Sequence, residues 1–109
     1  HGTGTVANDI TETRAIRRVF GRHADALSVS STKSVHGHAM GAAGALELVA
    51  TINALRTGRI PPTIGYLGPD PECDLDYTPN AARPRDIEAA LSNSFAFGGL
   101  NAVIALRRA

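Results

Sequence analysis

Three short segments of the sequence contain the side chains that could carry out chemistry. The first is the run from His1 to Thr5, in which a histidine is followed by alternating glycine and threonine. Small residues beside a histidine let a substrate come close to it, and the hydroxyls of Thr3 and Thr5 can donate and accept hydrogen bonds. Taken alone this pattern is weak, because an isolated histidine is more often structural than catalytic.

The second segment brings a lysine and two histidines together within six residues. It contains Lys33, His36 and His38, and it lies just before the predicted start of a helix. The positive end of a helix dipole disfavours added positive charge, so a histidine at this place tends to be neutral. A neutral imidazole can donate its N–H to a developing oxyanion. The alternative interpretation is a solvated lysine with two surface histidines.

The third segment, residues 93–101, combines an aromatic side chain with two adjacent glycines. Gly98 and Gly99 can adopt backbone conformations that are closed to other residues, and they directly follow Phe97. This arrangement suggests a mobile loop that carries an aromatic plug. The alternative is a hairpin turn with phenylalanines in the core, and composition alone favours it.

Three other kinds of site have little support in the sequence. The run Gly2-x-Gly4-x-x-Ala7 imitates a dinucleotide-binding fingerprint, but no strand precedes it. His36 and His38 could share one face of a strand, yet no nearby cysteine or carboxylate completes a zinc site. A hydrolase is disfavoured because the sequence contains no Gly-x-Ser-x-Gly nucleophile elbow.

Composition excludes several classes of protein and partner. The chain has 109 residues, of which 43% are hydrophobic and 19% charged, and its formal net charge is +1. This balance fits one ordinary globular domain, and it gives no support to a nucleic-acid partner. The longest apolar stretch, at about residues 39–50, contains Glu47 and is too short to span a membrane. A single cysteine, Cys73, is compatible with the reducing cytoplasm, where we expect the protein to be located.

Periodicity and stop signals predict two helices. The first begins near Asn8, with Asp9 and Glu12 spaced as a capping box, and ends at Gly21. The second runs from about residue 40 to residue 56, and we expect it to be buried and tightly packed. Glycine costs a helix up to ~1 kcal/mol relative to alanine. The two glycines at positions 41 and 44 therefore suggest that another backbone comes close to this helix.

The remaining elements are short strands and one long irregular segment. Residues 27–29 are predicted to form a short strand and residues 34–38 a turn. The proline-rich and aspartate-rich segment 61–84 should be irregular. Segments 89–95 and 102–106 are predicted to form a hairpin, and the order of the elements indicates a layered α/β structure. Four apolar residues could anchor the irregular segment, namely Ile64, Leu67, Leu75 and Tyr77.

Taken together and in this order, the segments resemble the carboxy-terminal part of the elongating β-ketoacyl-acyl-carrier-protein synthases. Each motif is weak alone, but the ordered set is specific and covers essentially the whole chain. The resemblance implies a thiolase-like layered α/β fold, of which residues 1–109 would be most of the carboxy-terminal half. The motifs that carry it are His1–Thr5, Lys33 with Gly37-His38 and Gly41–Gly44, Pro61–Thr63, Cys73–Asp76 and Asn93–Asn101.

The resemblance also implies an activity and its partners. The family catalyses the decarboxylative Claisen condensation of an acyl thioester with malonyl-acyl-carrier protein, in fatty-acid or polyketide synthesis. The expected partners are acyl carrier protein and the acyl and malonyl thioesters, and the full-length enzyme is expected to be a homodimer. No metal or organic cofactor is implied, because the phosphopantetheine arm arrives on the carrier protein.

Residue by residue, the resemblance implies roles for the three segments. His1 and His38 match the two catalytic histidines, Lys33 matches the active-site lysine, and Glu47 would be its structural partner. Glu47 lies on an otherwise apolar helix, where an unpaired charge would be costly. The remaining matches bind or admit substrate: Thr3 and Thr5 would hydrogen-bond the pantetheine arm, and Phe97, with Gly98 and Gly99, would form a gate to the acyl pocket.

The sequence also departs from the family pattern. His36 stands where many relatives have threonine or another small residue, and Ala96 and Leu100 alter the segment around the gate. The family's nucleophilic cysteine lies upstream of its first histidine. Cys73 is no substitute for it, because acidic neighbours disfavour its thiolate.

Since His1 opens directly on a motif, we expect the 109 residues to be a fragment that is inactive alone. The fragment would lack the half of the enzyme that bears the nucleophile. The alternative to an enzyme segment is part of a non-catalytic partner subunit of the chain-length-factor type.

Overall fold

Three helices and two small antiparallel sheets make up the structure. The computed structural model describes residues 1–109. The helices are α1 (Val6–Phe20), α2 (Lys33–His36) and α3 (Ala43–Thr57). The strands are β1 (Arg59–Ile60), β2 (Arg83–Pro84), β3 (Ala89–Ala96) and β4 (Leu100–Arg107). None of the helices is long and apolar enough to cross a lipid bilayer.

The predicted hairpin is confirmed, with a tighter connection than expected. β3 and β4 pair antiparallel from Ala89 opposite Arg107 to Ala96 opposite Leu100. The connection is a single turn at Phe97–Gly99, so β4 begins two residues earlier than predicted. Both glycines of the turn have positive φ, +81° and +79°, which side chains other than that of glycine rarely adopt.

The two faces of β3 serve different neighbours, because successive side chains of a strand point to opposite sides. On one face Ser92 is buried, and Ser94 lies against Gly44 of α3. On the other face Asn93 donates a hydrogen bond to Glu12 of α1. Phe95, on the same face as Asn93, packs near the ring of His1. The hairpin thus connects α3 with the amino-terminal segment.

Helix α1 begins at Val6, two residues before its predicted start near Asn8, so the predicted capping box is wrong. Thr5 is the N-cap: its backbone is extended, and its hydroxyl accepts the N–H of Asn8 at 3.2 Å. With the cap supplied by Thr5, Glu12 is free to turn toward the amino terminus. The helix ends at Gly21 as predicted, with φ of +54° and an N–H donated to Arg17.

The predictions for residues 27–38 are corrected in two places. Residues 27–29 are extended but do not form a strand, because only one backbone hydrogen bond, from Val29 N–H to Asp76 O (2.8 Å), joins them to a neighbour. The predicted turn at 34–38 is instead the short helix α2. It ends at Gly37, whose φ is +78° and whose N–H donates to the carbonyl of Lys33.

The prediction that the second helix is buried is also wrong within these residues. Its α-helical part begins at Ala43, after a 3₁₀ turn at Met40–Ala42, and only Ala43, Ala54 and Leu55 are buried. Other apolar side chains are largely exposed, among them Val49 at 57%. A Cβ added at Gly41 would have nothing within 4 Å, and one at Gly44 would make only an ordinary contact with the hydroxyl of Ser94. No close backbone approach within residues 1–109 therefore explains these two glycines.

The long segment between β1 and β2 is irregular as predicted, but only part of its predicted anchoring holds. β1 and β2 pair antiparallel at its two ends. Leu75 is buried and Tyr77 half-buried, whereas Ile64 and Leu67 are exposed. Polar contacts of Asp76 add to the anchoring, since its carboxylate pairs with Arg83 and accepts the N–H of Thr78 (3.1 Å). Burial raises the pKa of Asp76, but these contacts outweigh burial and hold it below its usual value.

A buried hydroxyl pair joins the long segment to α1. Thr13 is 3% exposed, and its hydroxyl donates to the carbonyl of Asp9 at 2.7 Å. The O–H of Tyr77 must therefore donate to the Thr13 oxygen, 2.6 Å away. Burial raises the pKa of Tyr77 above its usual value.

Replacing Tyr77 should therefore destabilise the fold measurably. We expect Tyr77→Phe to lower the free energy of unfolding by about 1 kcal/mol, the net worth of a neutral hydrogen bond. The deficit should shrink as the pH rises through about 10, because the unfolded state ionises its tyrosine first and the folded wild type resists ionisation. Urea unfolding at pH 7 and pH 10.5 measures both effects.

Tyr66→Phe is the matched control for this measurement. It removes the same hydroxyl from the same long segment, but the Tyr66 contacts to Asn80 use only backbone atoms of Tyr66. Its free energy of unfolding should stay within about 0.5 kcal/mol of the wild type. Equal losses of unfolding free energy in the two variants would show that the hydrogen bond from Tyr77 to Thr13 does not stabilise the fold.

Candidate active site

A buried lysine joins the segments that the sequence singles out. Lys33 is 7% exposed, and its ammonium donates to the carbonyl of His1 at 2.5 Å. The same ammonium forms an ion pair with the carboxylate of Glu47, which is itself mostly buried. A buried lysine charge is costly unless it is paired and hydrogen-bonded, and here it is both. The amino-terminal segment, α2 and α3 are thereby held at one point.

The ring of His1 lies between a second histidine and a phenylalanine. Its centroid is 5.5 Å from that of His38, with the two rings nearly perpendicular at 82°. The centroid of the Phe95 ring is 5.9 Å from that of His1. His1 Nδ1 is buried and is the one such side-chain nitrogen or oxygen without a hydrogen-bond partner in the structure. Unsatisfied buried polar atoms are rare and are often found at functional sites.

Backbone geometry determines which nitrogen of His38 carries the proton. The N–H of Met40 points at His38 Nδ1, with a separation of 3.1 Å. Since a backbone N–H can only donate, Nδ1 must accept, and the neutral ring then carries its hydrogen on Nε2. Met40 has a φ of +48°, which a residue with a side chain adopts only at some cost in energy. His38 is exposed.

Glu12 belongs to the site, although the sequence pattern suggested only a capping role. Its carboxylate is 12% exposed and accepts from the nitrogens of His1 (2.7 Å) and Gly2 (3.0 Å) and from Asn93 Nδ2 (3.2 Å). Burial alone would raise the pKa of Glu12. The charge of the terminal ammonium of His1 and the donated hydrogen bonds outweigh burial, so the pKa lies below its usual value. In a longer chain the nitrogen of His1 would be an amide that could donate without that charge.

Phe95 is the second residue that the sequence pattern did not single out. Its place on β3 follows from strand alternation, but its contact with His1 joins residues at opposite ends of the sequence. The one signal in the sequence that could have indicated this contact is that Phe95, an apolar residue, lies on the same face of the strand as Asn93. Phe95 therefore helps to orient the ring of His1.

The two threonines of the first segment differ in whether they line the open depression that contains the histidines. Thr3 lines the same open depression as His1, Lys33, His38 and Glu47, whereas Thr5 does not. The hydroxyl of Thr5 accepts from the start of α1 and lies 3.3 Å from the hydroxyl of Thr3. Either hydroxyl can be the donor in the bond between Thr3 and Thr5, so one hydroxyl hydrogen of the two remains available to donate.

The predicted gate lies outside this depression. Phe97 is 98% exposed at the hairpin turn, and neither it nor Gly98 or Gly99 lines the depression. The structure brings His1, Lys33, His38 and Glu47 into one connected cluster. Thr3 and Thr5 are joined to each other through their hydroxyls, whereas Phe97, Gly98 and Gly99 lie at the hairpin turn.

This arrangement suits the stabilisation of negative charge. Two imidazole rings lie edge to face, and the Nε2–H of His38 is available to a ligand. N–H donors that are oriented in advance stabilise an oxyanion as it forms, without reorganisation. The structure contains no group of three or more metal-binding side chains.

Gly2 of the amino-terminal segment packs directly against Ser31, which precedes α2. Its φ is +58°, and a Cβ at this position would lie 2.6 Å from Ser31 Cβ. The hydroxyl of Ser31 also donates to the carbonyl of Gly2 at 2.6 Å. Glycine is thus required here for its backbone conformation and for the space it leaves.

We expect Gly2→Ala to destabilise the protein by about 3 kcal/mol or more, since a strained φ and an overpacked contact add together. Gly4→Ala is the matched control: Gly4 has a φ of +73°, but nothing lies within 4 Å of the position that a Cβ would take there. Strain alone should cost Gly4→Ala about 1–2 kcal/mol in urea unfolding. Equal losses would contradict the contact with Ser31.

Comparison with known proteins identifies the chain's relatives. The family described as beta-ketoacyl synthase, C-terminal domain, matches residues 1–67. Nodulation protein E of Rhizobium leguminosarum bv. trifolii is 59% identical over 108 residues, which are 99% of this chain and 27% of the relative. 3-Oxoacyl-[acyl-carrier-protein] synthase 2 of Synechocystis sp. is 53% identical over 108 residues, covering 99% of this chain and 26% of the relative. The chain thus spans about a quarter of the length of the curated relatives it matches.

Solved structures agree with these relatives. A type II polyketide acyl-carrier protein in complex with its ketosynthase matches with a TM-score of 0.97 and 43% identity, covering 100% of this chain and 27% of that one. The ishigamide ketosynthase/chain length factor matches with a TM-score of 0.93 and 47% identity, covering 98% of this chain and 26% of that one. The predicted thiolase-like α/β fold is therefore confirmed. The chain belongs to the β-ketoacyl synthase family and contains residues of its carboxy-terminal domain.

Proposed function

We propose that these residues form the carboxy-terminal part of a β-ketoacyl-acyl-carrier-protein synthase, in which His1 and His38 serve the condensation of an acyl thioester with malonyl-acyl-carrier protein. The observation that carries the proposal is the pair of adjacent imidazoles, one of which has its donor hydrogen assigned to Nε2 by the Met40 amide. The names of the relatives support the same activity. The product would enter fatty-acid or polyketide synthesis.

The proposed condensation needs hydrogen-bond donors directed at one oxygen atom, the carbonyl oxygen of the malonyl thioester. Malonyl thioester loses carbon dioxide, and the electron pair of the broken C–C bond moves into the thioester carbonyl to give an enolate. The N–H groups of His38 and His1 would stabilise the enolate oxygen. The enolate carbon then attacks the acyl group, which the family holds on a cysteine, and the cysteine sulfur leaves as the thiolate. That cysteine is supplied from outside the family segment present here.

Lys33 would act by positioning rather than by contact with the reacting atoms. Its ammonium donates to the carbonyl of His1 and forms an ion pair with Glu47, so it is already engaged within the protein. A shift of His1 would separate two donors that must act on the same atom, and small misplacements of this kind are costly in rate. We therefore propose that Lys33 holds His1 in place and that Glu47 holds Lys33 in place.

The substrate and partner assignments extend this proposal. Thr3 and Thr5 would hydrogen-bond the pantetheine arm of an acyl carrier protein, and the bond between the two hydroxyls leaves one hydroxyl hydrogen for this. Phe97, exposed at a turn with two glycines, would be the gate of the acyl pocket. The complex of a related ketosynthase with its carrier protein supports the choice of partner. A homodimer, a cytoplasmic location and the lack of a cofactor stay predictions.

A non-catalytic partner subunit of the chain-length-factor type is the alternative, and one of the solved relatives carries such a factor in its name. The retention of His1, Lys33 and His38 in one connected arrangement favours the enzyme. A subunit without catalysis would not need the paired donors.

Condensation by the full-length protein that carries these residues tests the proposal. Acyl- and malonyl-acyl-carrier protein are mixed with wild type and with His38→Ala, and the 3-oxoacyl product is measured. We expect His38→Ala to lower the rate about 10²–10³-fold, as the loss of one oxyanion donor does.

His23→Ala is the matched control, because His23 is an exposed histidine on the turn after α1 and takes no part in the proposed donor pair. It should keep the wild-type rate. A wild type that is inert with every acyl chain tried would support the partner subunit, and an active His38→Ala variant would remove His38 from the mechanism.

A further inference from the structure

His36 is a histidine that the proposed chemistry does not use, although both of its ring nitrogens are engaged. It is the last residue of α2, it is exposed, and it does not line the depression that contains His1 and His38. Its Nδ1 lies 2.8 Å from the carbonyl oxygen of Gly37, and its Nε2 lies 3.1 Å from the hydroxyl of Thr32. Because both nitrogens of this exposed ring are hydrogen-bonded, the side chain has lost rotamer freedom that an exposed histidine normally keeps.

The chemistry of the two partners assigns the hydrogens on this ring. A carbonyl oxygen can only accept, so His36 Nδ1 must donate to Gly37. In the neutral ring Nε2 then accepts from the hydroxyl of Thr32. The imidazole therefore spans α2 from the residue before the helix to the residue after it.

Gly37 is the residue whose conformation determines the orientation of the peptide that leads into His38. Its φ is +78° and its ψ is 177°, and glycine restricts neither angle strongly. The N–H of Gly37 is held by the carbonyl of Lys33 at 2.8 Å. Its carbonyl belongs to the same peptide unit as the nitrogen of His38, and the side chain of His36 is what holds that carbonyl.

We propose that His36 is a positioning residue for His38: its Nδ1–H holds the Gly37 carbonyl and so fixes the peptide unit that carries the catalytic imidazole. His38 is then restrained from both sides, by the peptide before it and by the Met40 N–H at its own Nδ1. The kinetic consequence rests on the proposed condensation activity. The structural consequence does not, because it concerns only the order of residues 37–40.

Three substitutions of His36 in the full-length protein separate the two contacts. His36→Asn places an amide N–H where Nδ1 is and can keep the bond to Gly37. His36→Gln places its amide near Nε2 and can keep only the contact with Thr32, and His36→Ala keeps neither. We expect His36→Ala and His36→Gln to lower kcat about 5–10-fold, the equivalent of one hydrogen bond, with KM within about twofold. His36→Asn should recover most of kcat.

Hydrogen exchange supplies a readout that does not depend on activity. The Met40 amide is protected by His38 Nδ1, so it should exchange several-fold faster in His36→Ala and return toward the wild-type rate in His36→Asn. A wild type without condensation activity would contradict the proposed function. The exchange rate of the Met40 amide would still test the role of His36. Unchanged exchange and kcat in His36→Ala would overturn the inference, as would recovery by His36→Gln equal to that by His36→Asn.

Discussion

The ammonium of Lys33 is the interaction on which the rest of the site depends. It lies buried between the carbonyl of His1 and the carboxylate of Glu47, and a charge in that position is tolerable only while both partners stay in place. The amino-terminal segment lies 32 residues from Lys33 in the sequence, and the cost of leaving Lys33 unpaired favours its meeting with α2 and α3. The adjacency of His1 and His38 is a consequence of that meeting.

Local backbone contacts then refine what the buried pair brings together. The Met40 amide assigns the hydrogen of His38 to Nε2, at a residue that holds a positive φ. The carboxylate of Glu12 accepts hydrogen bonds from the backbone nitrogens of His1 and Gly2, and Phe95 packs beside the ring of His1. These groups do not touch a reacting atom. They limit the motion of the rings that would, which is what preorganised donors require.

How far the sequence predicts the structure depends on the range of each interaction. The hairpin, the end of α1 at Gly21 and the pairing of Lys33 with Glu47 were predictable, because glycine positions, alternation and a lone charge on an apolar helix are local signals. The contact of Glu12 with Asn93 and that of Phe95 with His1 were not, since each joins residues more than 80 positions apart in sequence. The exposed apolar face of α3 misled the prediction of burial, because periodicity reports which face is apolar and not what covers it.

The central claim is that Lys33 and Glu47 serve the placement of His1 and not stability alone. Lys33→Met combined with Glu47→Leu in the full-length protein tests it most directly, because replacing both charges by apolar groups removes the unpaired charge that would cost either single variant about 3–5 kcal/mol. We predict that the double variant is more stable in urea than either single variant, since no unpaired charge is left, although the carbonyl of His1 that loses its donor costs about 1–3 kcal/mol. Its condensation rate should nevertheless fall at least about tenfold, because the His1 carbonyl has lost its donor. A double variant that is both stable and fully active would contradict the account.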